Sequence, residues 1–290
     1  MKRAAALAGA SAAVLSAALA AAPVSVVDDG GTRIVLAQPA RRVISLSPAL
    51  TELAFAAGAG ERLVGIDTAS DYPPAATRSL QRIGDAAGID LERIIALRPD
   101  LILAWLSGNK ATDVARLRQL SIPVFLSEPR TLDDVPHSLR VMGTLLGSES
   151  AANAQAIAFE RRAVALRARY TGLRAVSVFV EIWHQPLMTV NGDHLVSDVL
   201  RACGARNSFA DLQALAGPVS LEQLLALNPD AILSATGFDE DMVLWQRLRS
   251  LSAVRNARVL KVDPDHLMRA TPRILDALEQ ICDWLERMRR

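Results

Sequence analysis

At 290 residues the chain is longer than an ordinary single domain of about 100–200 residues, and its 32 Lys+Arg against 31 Asp+Glu leave a net charge of +1. That balance argues against a nucleic-acid partner, which needs a basic face to gather phosphates, and 51% apolar with 22% charged residues excludes bulk disorder. Two cysteines and four dispersed histidines are too few and too scattered for a zinc or iron–sulfur centre, so no metal site is expected.

The chain opens with Met1-Lys2-Arg3, an Ala-rich apolar stretch and the small-residue signal Ala18-Leu19-Ala20. This pattern predicts a secretory signal peptide over residues 1–20, and hence an exported, soluble mature chain. Val26–Leu36, with Asp29-Gly30-Gly31 at its centre, predicts a β-hairpin. Arg42–Ser47 reads as the first core strand, and Pro48 opens a helix that Gly58 ends.

An internal repeat organises the rest. Leu91-Glu92-Arg93-Ile94-Ile95-Ala96-Leu97-Arg98-Pro99-Asp100-Leu101-Ile102-Leu103 returns 130 positions later as Leu221-Glu222-Gln223-Leu224-Leu225-Ala226-Leu227-Asn228-Pro229-Asp230-Ala231-Ile232-Leu233, with eight of thirteen positions identical. Each copy predicts a short helix starting at its glutamate, a Pro-Asp turn and a buried strand, because an uninterrupted apolar run suits a parallel sheet covered on both faces. An amphipathic helix through Leu117 and Leu120 then leads to strand Val124–Leu126, completing a βαβ unit. Between the copies, Ser148 to Tyr170 contains neither Gly nor Pro and predicts one long helix. The expectation is an α/β protein with an N-terminal lobe over 21–147, a rigid inter-lobe helix over 148–171 and a C-terminal lobe over 172–290.

Export places Cys203 and Cys282 in an oxidising compartment. A bridge between them is expected, worth about 4 kcal/mol in the chain-entropy description, against the alternative of two buried thiols.

In a two-lobed α/β protein ligands bind where strand ends of both lobes converge. The residues there are Tyr72, Trp105 and Trp183, whose rings suit a planar ligand, with Asp265, His266 and Arg269 after the last strand. A single histidine ordinarily hydrogen-bonds rather than ligating a metal, and His137, His184 and His194 read as surface residues. Trp245 and Trp284 fall in predicted helices and read as core. No nucleophile elbow, Walker loop or dinucleotide fingerprint occurs, so no catalytic residue is assigned and binding is favoured over enzymatic turnover.

Arg42-Val43-Ile44-Ser45-Leu46-Ser47-Pro48 with Thr51-Glu52-Leu53, Asp71-Tyr72-Pro73-Pro74 and Leu91-Glu92-Arg93-Ile94 resembles the helix-hinged substrate-binding proteins of iron-siderophore, haem and vitamin B12 importers. Within that family, Ala104-Trp105 with Gly108-Asn109, and Asp265 with Arg269-Ala270-Thr271-Pro272-Arg273, are most similar to the members that carry vitamin B12. The resemblance implies two Rossmann-like lobes joined by one long helix, the class III periplasmic binding protein fold. It implies a periplasmic monomer that is not an enzyme, with cobalamin as bound ligand and haem or a ferric siderophore as the alternative cargo.

It implies ligand contacts at Tyr72, Trp105, Asp265 and Arg269, to which Trp183 and His266 are added from their positions. Cys203 and Cys282 fall where that group's disulfide cysteines lie. Glu92 and Glu222 carry over as docking residues for an inner-membrane ABC permease dimer with its ATPase. Ala86 and the Ala216-Gly217-Pro218 stretch replace tryptophans of that group, implying less aromatic surface around the ligand.

Overall fold

The computed structural model describes residues 23–170 and 172–290, so the expected signal peptide lies outside the described residues. Two all-parallel sheets form the framework. The first has five strands in the order Gln81–Arg82, Leu63–Ile66, Val43–Ser45, Leu101–Trp105 and Val124–Ser127. The second has four, in the order Ala205–Asn207, Val176–Glu181, Ala231–Ser234 and Val259–Lys261.

Period-two alternation explains how each strand serves two cores. Val43, Leu101, Leu103 and Phe125 join the core formed with helices Pro48–Ala56 and Asp134–Leu146. Their neighbours Ile44, Ile102, Ala104 and Val124 join the core on the opposite face, with Ile94 and Leu117. In the second sheet Val178, Val180, Ala231 and Leu233 face the terminal helix Ile274–Arg289, while Phe179 and Ile232 face Trp245. Trp245 is therefore core, as expected, and Trp284 packs partly buried against the other core.

The repeated units take matching forms. Helices Leu91–Leu97 and Leu221–Leu227 each begin one residue before the repeated glutamate, capped by Asp90 and Ser220. Each ends on a left-handed residue, Arg98 (φ 46°) and Asn228 (φ 40°), and each fully buries one residue, Ile94 or Leu224. The Pro-Asp dipeptide does more than turn the chain. Asp100 accepts from the Arg41 and Arg42 N–H groups at 2.8 and 2.9 Å, just ahead of strand Val43–Ser45. Asp230 accepts from the Ser177 N–H and hydroxyl at 2.9 and 2.7 Å in strand Val176–Glu181. Each carboxylate thus clamps the start of the neighbouring central strand and satisfies backbone donors that the parallel ladder leaves over.

One expectation fails locally. The helix after the first repeat covers Ala111–Gln119; Leu117 is fully buried, but Leu120 lies past its end and is exposed. Leu120 follows the last helical turn, so it no longer falls on the buried stripe.

Helix Glu149–Arg169 runs 21 residues, about 32 Å at 1.5 Å per residue. Its first half buries Ala152 and Ala156 in the core of the first sheet, and its second half buries Phe159, Ala163 and Leu166 in the core of the second. Arg162 bonds Asp276 and Glu279 on the terminal helix at 2.6 and 3.0 Å, and Arg140 forms a two-bond pair with Glu160 at 2.7 and 3.0 Å. A helix packed along both cores is a stiff connection rather than a tether. Cys203, ending helix Leu195–Ala202, is bonded to Cys282 on the terminal helix.

Candidate functional site

Between the sheets lies a cavity of about 300 Å³ whose walls come from both lobes. Lobe one contributes Ser47, Pro48, Ala69, Trp105 and Glu128; lobe two contributes His194, Pro264, Asp265, Met268 and Arg269. A larger hollow of about 700 Å³ is lined by Trp245, Arg249, Arg255 and Val259, all from lobe two. The inter-lobe cavity is the candidate site because polar groups from both lobes converge on it, as small-molecule sites require.

Trp105 closes strand Leu101–Trp105 and is 43% exposed toward this cavity. Three neighbours hold it. A Cβ on Gly108 would collide with the indole, so glycine is required under the ring. Asn109 accepts from the Trp105 N–H at 2.6 Å and donates to the Leu46 carbonyl at 3.0 Å, tying the loop to the next strand. Glu128 accepts from the indole Nε1 at 3.1 Å and from the Ser107 N–H at 2.8 Å.

Opposite stands a charged network. Arg269 reaches Asp71 of lobe one at 2.7 Å and Asp265 of lobe two at 2.7 Å. Glu52, 2% exposed, accepts two bonds from Arg273 at 2.7 and 2.6 Å and one from the Thr271 hydroxyl at 2.6 Å. The Arg273 guanidinium also lies 4.0 Å over the Tyr72 ring, a cation–π contact. Burial pushes the Asp265 carboxyl above its ordinary value, against the pull of Arg269. Buried Asp67, bonded to Ser70, is raised for the same first reason.

Of the expected ligand residues, Trp105, Asp265 and Arg269 line the cavity. Tyr72 is outside the lining; it lies under Arg273, and its neighbour Asp71 bonds the lining residue Arg269. Trp183 and His266 are not part of the cavity lining. Trp183 is 50% exposed, donates to the Gln185 carbonyl at 2.9 Å and packs edge-on against Phe238. His266 is half-buried on the short helix Pro264–Leu267, which directs Asp265 rather than His266 at the cavity.

Two histidines read as surface residues are not. His184 is half-buried with Nδ1 2.7 Å from the buried Glu181 carboxylate, whose other oxygen accepts from Trp245 Nε1 at 2.8 Å. His194 lines the cavity; its Nδ1 accepts from the Val196 N–H at 3.1 Å, and burial, with Arg130 nearby, lowers its pKa to about 4. His137 is exposed, as expected. Glu52 and His194 were missed as site residues, and the only local hint for Glu52 was an acid inside an apolar helical run.

Neither Glu92 nor Glu222 lines the cavity; each is exposed at the second position of its repeat helix. The Glu222 carboxyl is held below its ordinary value by its own N–H and by Ser220. Ile95 and Leu225, equivalent positions one turn on, are also exposed, at 47% and 37%. Among the described residues no helix is long and apolar enough to cross a membrane.

The sequence profile of the periplasmic binding protein family matches residues 43–266. Over 254 residues the chain is 35% identical to the vitamin B12-binding protein of Vibrio parahaemolyticus, covering 87% of this chain and 92% of that one. It is 39% identical over 250 residues to the vitamin B12-binding protein of Pectobacterium carotovorum, covering 84% and 88%. Among solved structures, the periplasmic vitamin B12 binding protein BtuF of Vibrio cholerae superposes with a TM-score of 0.80 at 36% identity, covering 86% of this chain and 97% of that one. The periplasmic heme-binding protein RhuT of Roseiflexus superposes at 0.75 with 25% identity, covering 86% and 99%. Two parallel-sheet lobes on one long helix, a cleft walled by both and a profile match across most of the length lead to one conclusion: the chain belongs to the periplasmic binding protein family.

Proposed function

We propose that this protein captures cobalamin, or a related corrinoid, between its lobes in the periplasm and hands it to an ABC importer, without carrying out a chemical step. The lobes of this carrier are residues 21–147 and 172–290, with 148–171 as the rigid connection. The observation that carries the reading is the pairing of Trp105 on one wall with Asp265 and Arg269 on the other. A flat macrocycle fringed with amides needs an aromatic face and hydrogen-bonding groups at its rim. The 35–39% identity to vitamin B12-binding proteins supports the same ligand. At about 300 Å³ the cavity is at the small end for such sites, so most of a corrinoid would extend beyond it, and the exposed rings of Tyr72 and Trp183 are assigned to that part of the ligand.

Delivery is assigned to Glu92 and Glu222. Each is an exposed acid beside an exposed aliphatic residue at equivalent places on the two lobes, which suits a two-fold permease presenting one cationic contact per half. The protein acts as a monomer in this scheme.

Binding of cyanocobalamin and of haemin, each followed by calorimetry and visible absorbance, tests the ligand. The expected result is one-to-one cyanocobalamin binding weakened about tenfold or more in Trp105→Ala. Tight haemin binding that is lost in Tyr72→Phe, with no cyanocobalamin signal, would replace cobalamin by haem.

A further inference from the structure

The guanidiniums of Arg269, in the cavity lining, and of Arg273 beside it are already paired. Arg273 is taken up by Glu52 in a two-bond pair. Arg269, 9% exposed, is held at 2.7 Å by Asp71 from lobe one and at 2.7 Å by Asp265 from lobe two, with a Glu52 oxygen at 3.9 Å. Buried Asp67 also acts on the Arg269 charge, and Glu128 lines the facing wall. Carboxylates therefore outnumber the guanidiniums around the space a ligand would enter. Two further cations stand nearby: Arg82 acts on Asp67 and donates to its carbonyl at 3.1 Å, and Arg130 is exposed and acts on His194.

Asp71 differs from the other acids in this group. Its side chain is 63% exposed, and it sits in the loop beside Tyr72 with its carboxylate turned onto Arg269 across the lobe boundary. An exposed acid contributes little to folding, so its placement against a nearly buried arginine calls for a role in the cleft.

We propose that Asp71 determines specificity: by neutralising Arg269 it biases the cleft toward ligands with an uncharged, amide-bearing rim and against ligands bearing carboxylates. This rests on the carrier reading above. A carboxylate approaching Arg269 must displace Asp71 or join a cluster that is already anionic. An amide can accept from a guanidinium N–H through its carbonyl and donate to Asp71 or Asp265 through its NH₂, adding no charge. Discrimination by an unfavourable encounter with the wrong ligand is as effective as a better contact with the right one.

The test uses two ligand pairs matched in shape and differing in charge: cyanocobalamin against its monocarboxylic acid, and haemin against its dimethyl ester. Affinities are measured for the wild type, Asp71→Asn and Asp71→Glu at low and at high salt. The wild type is expected to prefer the uncharged member of whichever pair it binds. In Asp71→Asn the ratio should move toward the acid by about five- to tenfold at low salt and by less at high salt. Asp71→Glu should restore the wild-type ratio. A ratio that stays the same in Asp71→Asn overturns the proposal, as does an equal loss for both members of a pair. If the wild type takes only the porphyrins, cobalamin as cargo falls, and the haemin-to-ester ratio alone decides the role of Asp71. Binding of none of the four overturns both.

Discussion

The two copies of the repeated unit are nearly interchangeable through the helix and the strand start and unlike at the strand end. Both place a glutamate at the second position of a seven-residue helix, end that helix in a left-handed residue and use the Pro-Asp carboxylate to clamp the central strand. On the cleft side the strands diverge. The first ends on Trp105, exposed to the cavity, whereas the second ends on the buried Ser234, and Trp183, after the adjacent strand, lies outside the cavity lining. Lobe one has a fifth strand, Gln81–Arg82; lobe two has a disulfide to the terminal helix instead. The parts that build each sheet match between the copies, while the strand ends near the cavity differ.

The largest expected effect separates the lobes by stability. Reducing the disulfide, or Cys203→Ser with Cys282→Ser, should cost about 4 kcal/mol by releasing a constraint across 79 residues. Denaturant unfolding read by Trp245 fluorescence should report the loss earlier than a reporter in lobe one; an equal shift in both would show that the lobes unfold as one unit. Next, Glu52→Gln removes the buried charge that holds Arg273 across the boundary, and should destabilise by about 3 kcal/mol in thermal unfolding. An unchanged melting temperature would mean that the network does not join the lobes energetically.

His194 sharpens the comparison by pH. Its folded pKa of about 4 lies below that of the unfolded chain, so between about pH 6.5 and 4 the unfolded state binds more protons and stability falls as the solution is acidified. His194→Gln should flatten that slope, an effect on the order of 2 kcal/mol; an unaltered profile contradicts the buried neutral imidazole. The smallest pair is Asp100→Asn and Asp230→Asn, each expected to cost about 1 kcal/mol through weakened strand clamps. The Asp230 carboxyl is subject to an upward push from burial that is outweighed by the Ser177 N–H and hydroxyl with Arg174 and Arg258, and it lies below its ordinary value. Its contribution is thus present near neutrality and lost as pH falls below about 4, so Asp230→Asn should remove that part of the acid sensitivity.

Much of this was legible in the residues because the signals were local. The repeat, the Gly- and Pro-free stretch before Thr171 and the apolar runs at Leu101 and Ala231 carry their own periodicity. Trp105 was found because it follows a buried run, and its support is explained by Gly108 and Asn109 close by. Glu52 was opaque because its partner Arg273 is 221 residues away, and within Thr51-Glu52-Leu53 it looks like one polar residue on an apolar helix. His194 was misread because it lines a cavity shared with residues distant in the chain, Trp105 and Glu128 among them, which no local pattern encodes. The Pro-Asp dipeptides read as turns, since the strands their carboxylates clamp lie 59 and 53 residues away.

A crystal structure of the protein grown with cyanocobalamin is the most direct measurement. The account predicts the corrin ring between the indole of Trp105 and the Asp265–Arg269 pair, its amides at the rim, and helix Glu149–Arg169 unbent. Corrin density lodged on one lobe alone, leaving that gap to water, would contradict it.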